Sequence, residues 1–187
     1  MVRMARQPVR QRKRIFVGCE GESERSYIAL LQRLLGVNAA YHLITVVLNG
    51  GDPLATVDSA KKALRREAQR GHGEFLEKYI LLDEDTVGHT QTRDRQVQRA
   101  AREEGFRLIW QRPCHEALLL RHLPRCQRRR SQSTSLALAA LQREWPTYRK
   151  NCAAAELAER IDLEGVQRAA KVEEELFSLL STLGLVE

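Results

Sequence analysis

Short apolar runs and helically spaced apolar residues alternate along the first two thirds of this chain. Ile15 to Cys19 is a run of strand length, after which Tyr27, Ile28, Leu30, Leu31, Leu34 and Leu35 recur at helical spacing up to Gly36. Residues 41–48, YHLITVVL, form a β-branched run, and the NGGDP turn follows, where Asp52 is placed to cap a helix starting at Pro53. Leu54, Val57, Lys61 and Leu64 mark that helix. KYILLD at 78–83 predicts a third strand, TRDRQVQRAAREEG a third helix closed by Gly105, and FRLIW at 106–110 a fourth strand. After Pro113 only helical spacing remains: a short helix near 115–122, another near 135–143, and one or two long ones between 153 and 182.

The order β-α-β-α-β-α-β predicts a mainly parallel sheet with helices on both faces. In such sheets ligands collect at the carboxyl ends of the strands, where connecting loops vary while the strands hold them rigidly. Two acidic clusters fall at such ends. Glu20 follows the first strand directly, and LLDEDT puts Asp83 and Asp85 at the end of the third. Alternate residues of an extended segment point the same way, so Asp83 and Asp85 are expected to present carboxylates to one side. Such hard oxygen donors favour Mg²⁺ or Mn²⁺, which retain waters and open positions for a phosphate. Glu22 and Glu24 also suit a helix N-terminus, where the helix dipole favours negative charge.

Composition narrows the class further. The 187 residues are enough for one compact domain, no apolar run is long enough to span a bilayer, and no secretory apolar segment opens the chain, so a cytoplasmic location is expected. Cys19, Cys114, Cys126 and Cys152 form no C-x-x-C pair and are expected to be reduced thiols; Cys114, His115, His122 and Cys126 fit no common zinc-finger spacing. The formal net charge of +7 is concentrated: residues 2–14 carry six basic groups and no acid. That arm either neutralises phosphates or is a solvated tail. RCQRRRSQSTS at 125–135 is a second basic segment with the composition of an exposed loop. Neither a phosphate-binding P-loop nor a dinucleotide glycine fingerprint is present, and GESER lacks the closing glycine of a nucleophile elbow.

EGESERSY at 20–27 resembles the E-G-x-[ST]-E-x-x-Y signature of RloB-like proteins, a family related to the Toprim fold of topoisomerases, primases and overcoming-lysogenization-defect nucleases. NGGDPLATVDSA is similar to the family's G-G-x-P turn, LLDEDT to its aspartate pair, RPCHEALLLRH to its P-x-x-E-x-W-x-x-x-H segment and WPTYRK to its Y-x-K element. The resemblance covers residues 14–151 and departs from the pattern at His115, where an aromatic is usual, and at Leu118, where tryptophan is usual.

The resemblance implies a Toprim-like α/β domain with a mainly parallel four-stranded sheet flanked by helices and a C-terminal helical extension. Residues 1–13 would be a basic flexible arm, 14–125 the α/β core and 126–187 the extension packed on it. It implies a Mg²⁺- or Mn²⁺-dependent nuclease in which Glu20 and Glu116 are catalytic and Asp83, Asp85 and Glu20 hold the metal. With no tyrosine-bearing partner domain evident, hydrolysis is expected rather than strand passage. Nucleic acid, DNA or RNA, is the expected partner, contacted by Arg10, Arg12, Lys13, Arg14, Arg128, Arg129, Arg130 and Lys150; Lys150 alternatively pairs with one of the acids. A role in bacterial anti-phage defence or restriction, beside a partner protein of such a system, is implied in the same way. The alternative is a non-catalytic nucleic-acid-binding or regulatory subunit whose acids only hold the fold together.

Overall fold

A computed structural model describes residues 12–70, 74–84 and 91–187. Arg10, Asp85 and most of the basic arm lie outside the described residues. The chain runs β1 (Lys13–Cys19), α1 (Glu22–Leu35), β2 (Tyr41–Val47), α2 (Pro53–Gln69), β3 (Phe75–Asp83), α3 (Gln91–Glu103), β4 (Arg107–Gln111) and α4 (His115–His122). Helices α5 (Thr134–Glu144), α6 (Ala154–Leu157), α7 (Leu163–Ala170) and α8 (Glu174–Leu183) follow. All strands are parallel and lie in the order β2-β1-β3-β4, the Toprim-like arrangement expected from the sequence. Among the described residues, no helix is long and apolar enough to cross a membrane.

Successive strand residues point to opposite faces, and a sheet covered on both sides needs apolar side chains at every position. In β1 and β3, Ile15, Val17, Tyr79 and Leu81 pack on one face with α1, α4 and the C-terminal helices. Phe16, Ile80 and Leu82 pack on the other, with Val57, Ala60 and Ala63 of α2 and Val97 and Ala101 of α3. Each fully buried side chain of this size contributes roughly 1.5–3 kcal/mol. Asp52 caps α2 as expected, its carboxylate accepting from Ala55 N at 3.4 Å, with Pro53 at the first helical position.

Several boundaries differ from the sequence expectation; β3, for one, begins at Phe75 rather than Lys78. β1 begins at Lys13 rather than Ile15 because Lys13 N donates to Ala40 O at 2.8 Å and the Arg14 guanidinium lies 4.2 Å from the Phe75 ring centroid. The C-terminal stretch, expected as one or two long helices, is three short ones. Asp162 stops the first by capping α7, its carboxylate accepting from Gly165 N at 2.8 Å. Gly165 then lets α7 approach the end of α4: a Cβ there would come 3.1 Å from His122 O.

Candidate active site

The direction of chain travel reverses between β1 and β3. α1 leaves the end of β1 on one face of the sheet toward β2, whereas α3 leaves the end of β3 on the opposite face toward β4. In parallel sheets the carboxyl ends of two neighbouring strands at such a reversal are where ligands usually bind. Glu20 and Asp83 stand at that point. Glu20 Oε2 accepts from the Asp83 backbone N–H at 2.8 Å, so the main chain at the end of β3 helps to fix the Glu20 side chain. Glu20's own carbonyl accepts from Gly50 N at 3.0 Å. Gly50 has φ of 40°, and a Cβ there would lie 3.2 Å from the Glu20 side chain, so the NGG turn needs glycine both for its left-handed backbone and for room.

The second tier of the site is α4, whose eight residues are all buried, including His115, Glu116, Arg121 and His122. Polar groups so placed must find partners, and each of the four has one on another part of the fold. Glu116 Oε1 lies 3.4 Å from Lys150 Nζ. His115 Nδ1 accepts from Gln111 Nε2 at 2.7 Å and lies 4.0 Å from Glu24 Oε1, while Glu24 Oε2 takes the Gly21 N–H at 2.9 Å and so caps α1. Arg121 pairs with buried Glu173 at 2.8 Å and donates to Arg112 O at 2.5 Å. His122 Nδ1 donates to Leu118 O at 2.9 Å, which leaves Nε2 to accept the Tyr27 hydroxyl at 2.9 Å. His122 is thus a satisfied core histidine.

Electrostatics tie the two tiers together. Burial pushes the Cys114 thiol up to about 12, and the charges of Glu116 and Asp83 both act on it in the same direction. Tyr148 is raised by burial first and then by Glu116, Cys152 and Glu24. The four cysteines are buried and free, as expected. Among the described residues, no group of three or more His, Cys, Asp and Glu side chains is arranged to hold a metal ion.

His122 also sets a pH dependence. Burial lowers its pKa from 6.5 to about 4, and His115, Arg168 and Arg121 push the same way. The unfolded chain therefore binds the proton more readily between these values, so the stabilisation is complete above 6.5 and is lost as pH falls toward 4. That window is worth on the order of 3 kcal/mol. His115, also lowered by burial, adds in the same direction. Urea unfolding of wild type should show this loss, and His122→Gln should shrink it; equal acid sensitivity in both proteins would exclude His122 as its source.

The basic residues expected at a nucleic-acid surface have diverse placements. Arg12 is exposed and donates to Val37 O at 2.6 Å, Lys13 is exposed on β1, and Arg14 is buried over Phe75. Arg128 is exposed, Arg129 pairs with Glu144 at 2.6 Å, and Arg130 donates to Val172 O at 3.3 Å. Lys150 is half exposed and pairs with Glu116, the acid-pairing alternative expected for it. Sequence reasoning places the Tyr148 hydroxyl near the site but missed His115, Ser23 and Asn151. For His115 the available signal was a polar residue on an otherwise leucine-rich helix, which requires a partner; the local pattern gave none for Ser23 and Asn151.

The fold and its strand-end acids define an α/β protein of Toprim-like type with a carboxylate pair at the switch point of the sheet. A family model described as RloB-like protein matches residues 15–180, and the chain belongs to that family. No curated protein and no solved structure matches the chain.

Proposed function

We propose that this chain is a divalent-metal-dependent nuclease that hydrolyses phosphodiester bonds of nucleic acid, acting in the cytoplasm in bacterial defence against foreign nucleic acid beside a partner protein of that system. The observation that supports the reading is the placement of Glu20 and Asp83 at the ends of neighbouring strands β1 and β3, where the Asp83 backbone N–H donates to Glu20 Oε2 at 2.8 Å.

The donor chemistry fits Mg²⁺ or Mn²⁺. Mg²⁺ is commonly held by one or two carboxylates and completes its shell with waters and substrate phosphate, so a two-acid site is sufficient. Glu20 and Asp83 are the described donors, and Asp85 is assigned beside them as the third. The ion would neutralise charge growing on the phosphoryl oxygens and lower the pKa of the attacking water. Within that frame Glu20, fixed by main chain, orients toward the reacting phosphate. Glu116, buried on α4, serves as a proton-handling acid, and Lys150 steadies its charge. Arg12, Lys13 and Arg128, exposed, supply backbone phosphate contacts that weaken as salt rises; Arg10, Arg14, Arg129 and Arg130 complete the assigned set.

Incubation with single- and double-stranded DNA and with RNA, with Mg²⁺ or Mn²⁺ and with EDTA, tests this reading. Wild type should cleave at least one substrate only when metal is present. Cleavage undiminished in EDTA, or identical in Asp83→Ala, would refute it.

A further inference from the structure

Residues far apart in sequence meet beside the site through two reciprocal hydrogen bonds that the chemistry above does not use. Ser23 Oγ donates to Asn151 Oδ1 at 3.0 Å and accepts from Asn151 N at 3.1 Å, across 128 positions. Asn151 has φ of 60°, a left-handed conformation that asparagine tolerates better than most residues. The turn presents its amide and its side chain to a single hydroxyl. Ser23 sits in the first turn of α1, three residues after Glu20.

Between these anchors lies Lys150. Tyr148 before it is buried to 3% exposure and packs its ring 5.5 Å from that of Trp145; Asn151 after it is bonded to α1. The chain around Lys150 is therefore held on both sides. The Lys150 side chain is 54% exposed, whereas the Glu116 side chain on which its ammonium rests is 5% exposed. An ammonium has three donors, and one carboxylate oxygen at 3.4 Å occupies one of them. The others are open on the solvent side. A surface lysine usually explores many rotamers and acts as a loose point charge; this one rests over a buried acid, and the residue after it is bonded to the first turn of α1, three residues past Glu20.

We propose that Ser23 and Asn151 are positioning residues that hold Lys150 as a phosphate contact beside the Glu20–Asp83 pair, the ligand being a backbone phosphate of the nucleic-acid substrate. The inference rests on the nuclease reading and deepens it. It also gives a reason for a hydroxyl at position 23: only a group that both donates and accepts can close the clamp.

The test measures the salt dependence of binding for short fluorescent oligonucleotides, as single-stranded DNA, duplex DNA and the matching RNA. Lys150→Met should lower the slope of log affinity against log salt by about one. Ser23→Ala should lower it equally, and the double variant should show no further loss, because the two residues act as one unit. Ser23→Thr, which restores the hydroxyl, should recover the wild-type slope; a clamp that only supports the fold would leave the slope unmoved while lowering the melting temperature. If Ser23→Ala fails to fold, Asn151→Gly, which keeps the left-handed turn, carries the same expectation. An unchanged slope in Lys150→Met, or in Ser23→Ala alone, overturns the inference even where Asp83→Ala abolishes metal-dependent cleavage and the nuclease reading stands. A wild type that neither binds nor cleaves any of the three overturns both.

Discussion

Asp83→Asn is expected to cut metal-dependent cleavage at least about a hundredfold while leaving the protein folded, the scale of loss when one stabilising group is removed from an active site. Glu20 is held by the backbone N–H of Asp83 and not by its side chain, so the bond at 2.8 Å survives the exchange of carboxylate for amide. What disappears is one negative charge and one hard oxygen donor. Mg²⁺ or Mn²⁺ should raise the melting temperature of wild type by mass action, because the ion binds the folded chain. In Asp83→Asn that shift should vanish together with cleavage. A strongly destabilised variant that still responds to metal would instead make Asp83 a structural hydrogen-bond acceptor, and the catalytic assignment would fail.

Arg121→Met should destabilise the protein by about 3–5 kcal/mol, the usual consequence of removing one member of a buried ion pair. Arg121 is 1% exposed; it pairs with Glu173, itself 6% exposed, and donates to the Arg112 carbonyl. Without it, Glu173 would keep only Arg130, at 3.6 Å and on the solvent side. Burial already pushes the Glu173 carboxyl up, with Arg121 the largest opposing influence. Denaturant unfolding measures the loss, and the double variant Arg121→Met/Glu173→Leu should recover part of it, since no stranded charge remains. A single-variant loss below about 1 kcal/mol, the range of exposed pairs, would show that the pair is solvated. The same pair ties α4 to the start of α8, where Glu175 binds Arg112 through two bonds at 3.0 and 2.9 Å. Those contacts brace the segment between β4 and Glu116.

The sheet was legible because its signals are local. The apolar runs at 15–19 and 78–83, the Asp52–Pro53 helix start and the stops at Gly36 and Gly105 each depend on neighbours a few positions away. The starts of β1 and β3 were not legible: Arg14 and Phe75 make each other's environment, and neither reads as a strand residue in isolation. The three C-terminal helices were hidden for a related reason. Their ends are set by the Asp162 cap and by Glu173 turning inward to Arg121, partners that the local pattern does not show.

The site divides in the same way. Glu20 and Asp83 could be placed from sequence because strand ends are predictable and neighbouring strands bring them together. Glu24 was readable as a helix-cap acid, and it does cap α1, but its approach to His115 depends on how α4 docks. Ser23 with Asn151, and Glu116 with Lys150, are long-range pairings decided by tertiary packing alone. Asp85 lies outside the described residues, so its share in the site rests on the sequence argument.

The most direct test of the central claim is calorimetric titration of Mn²⁺ into the purified chain, with Glu20→Gln and Asp83→Asn measured beside it. The account predicts saturable binding to wild type and its loss in each variant, since both carboxylates belong to one site at the ends of β1 and β3. Absence of binding to wild type, or equal binding by all three proteins, would contradict it.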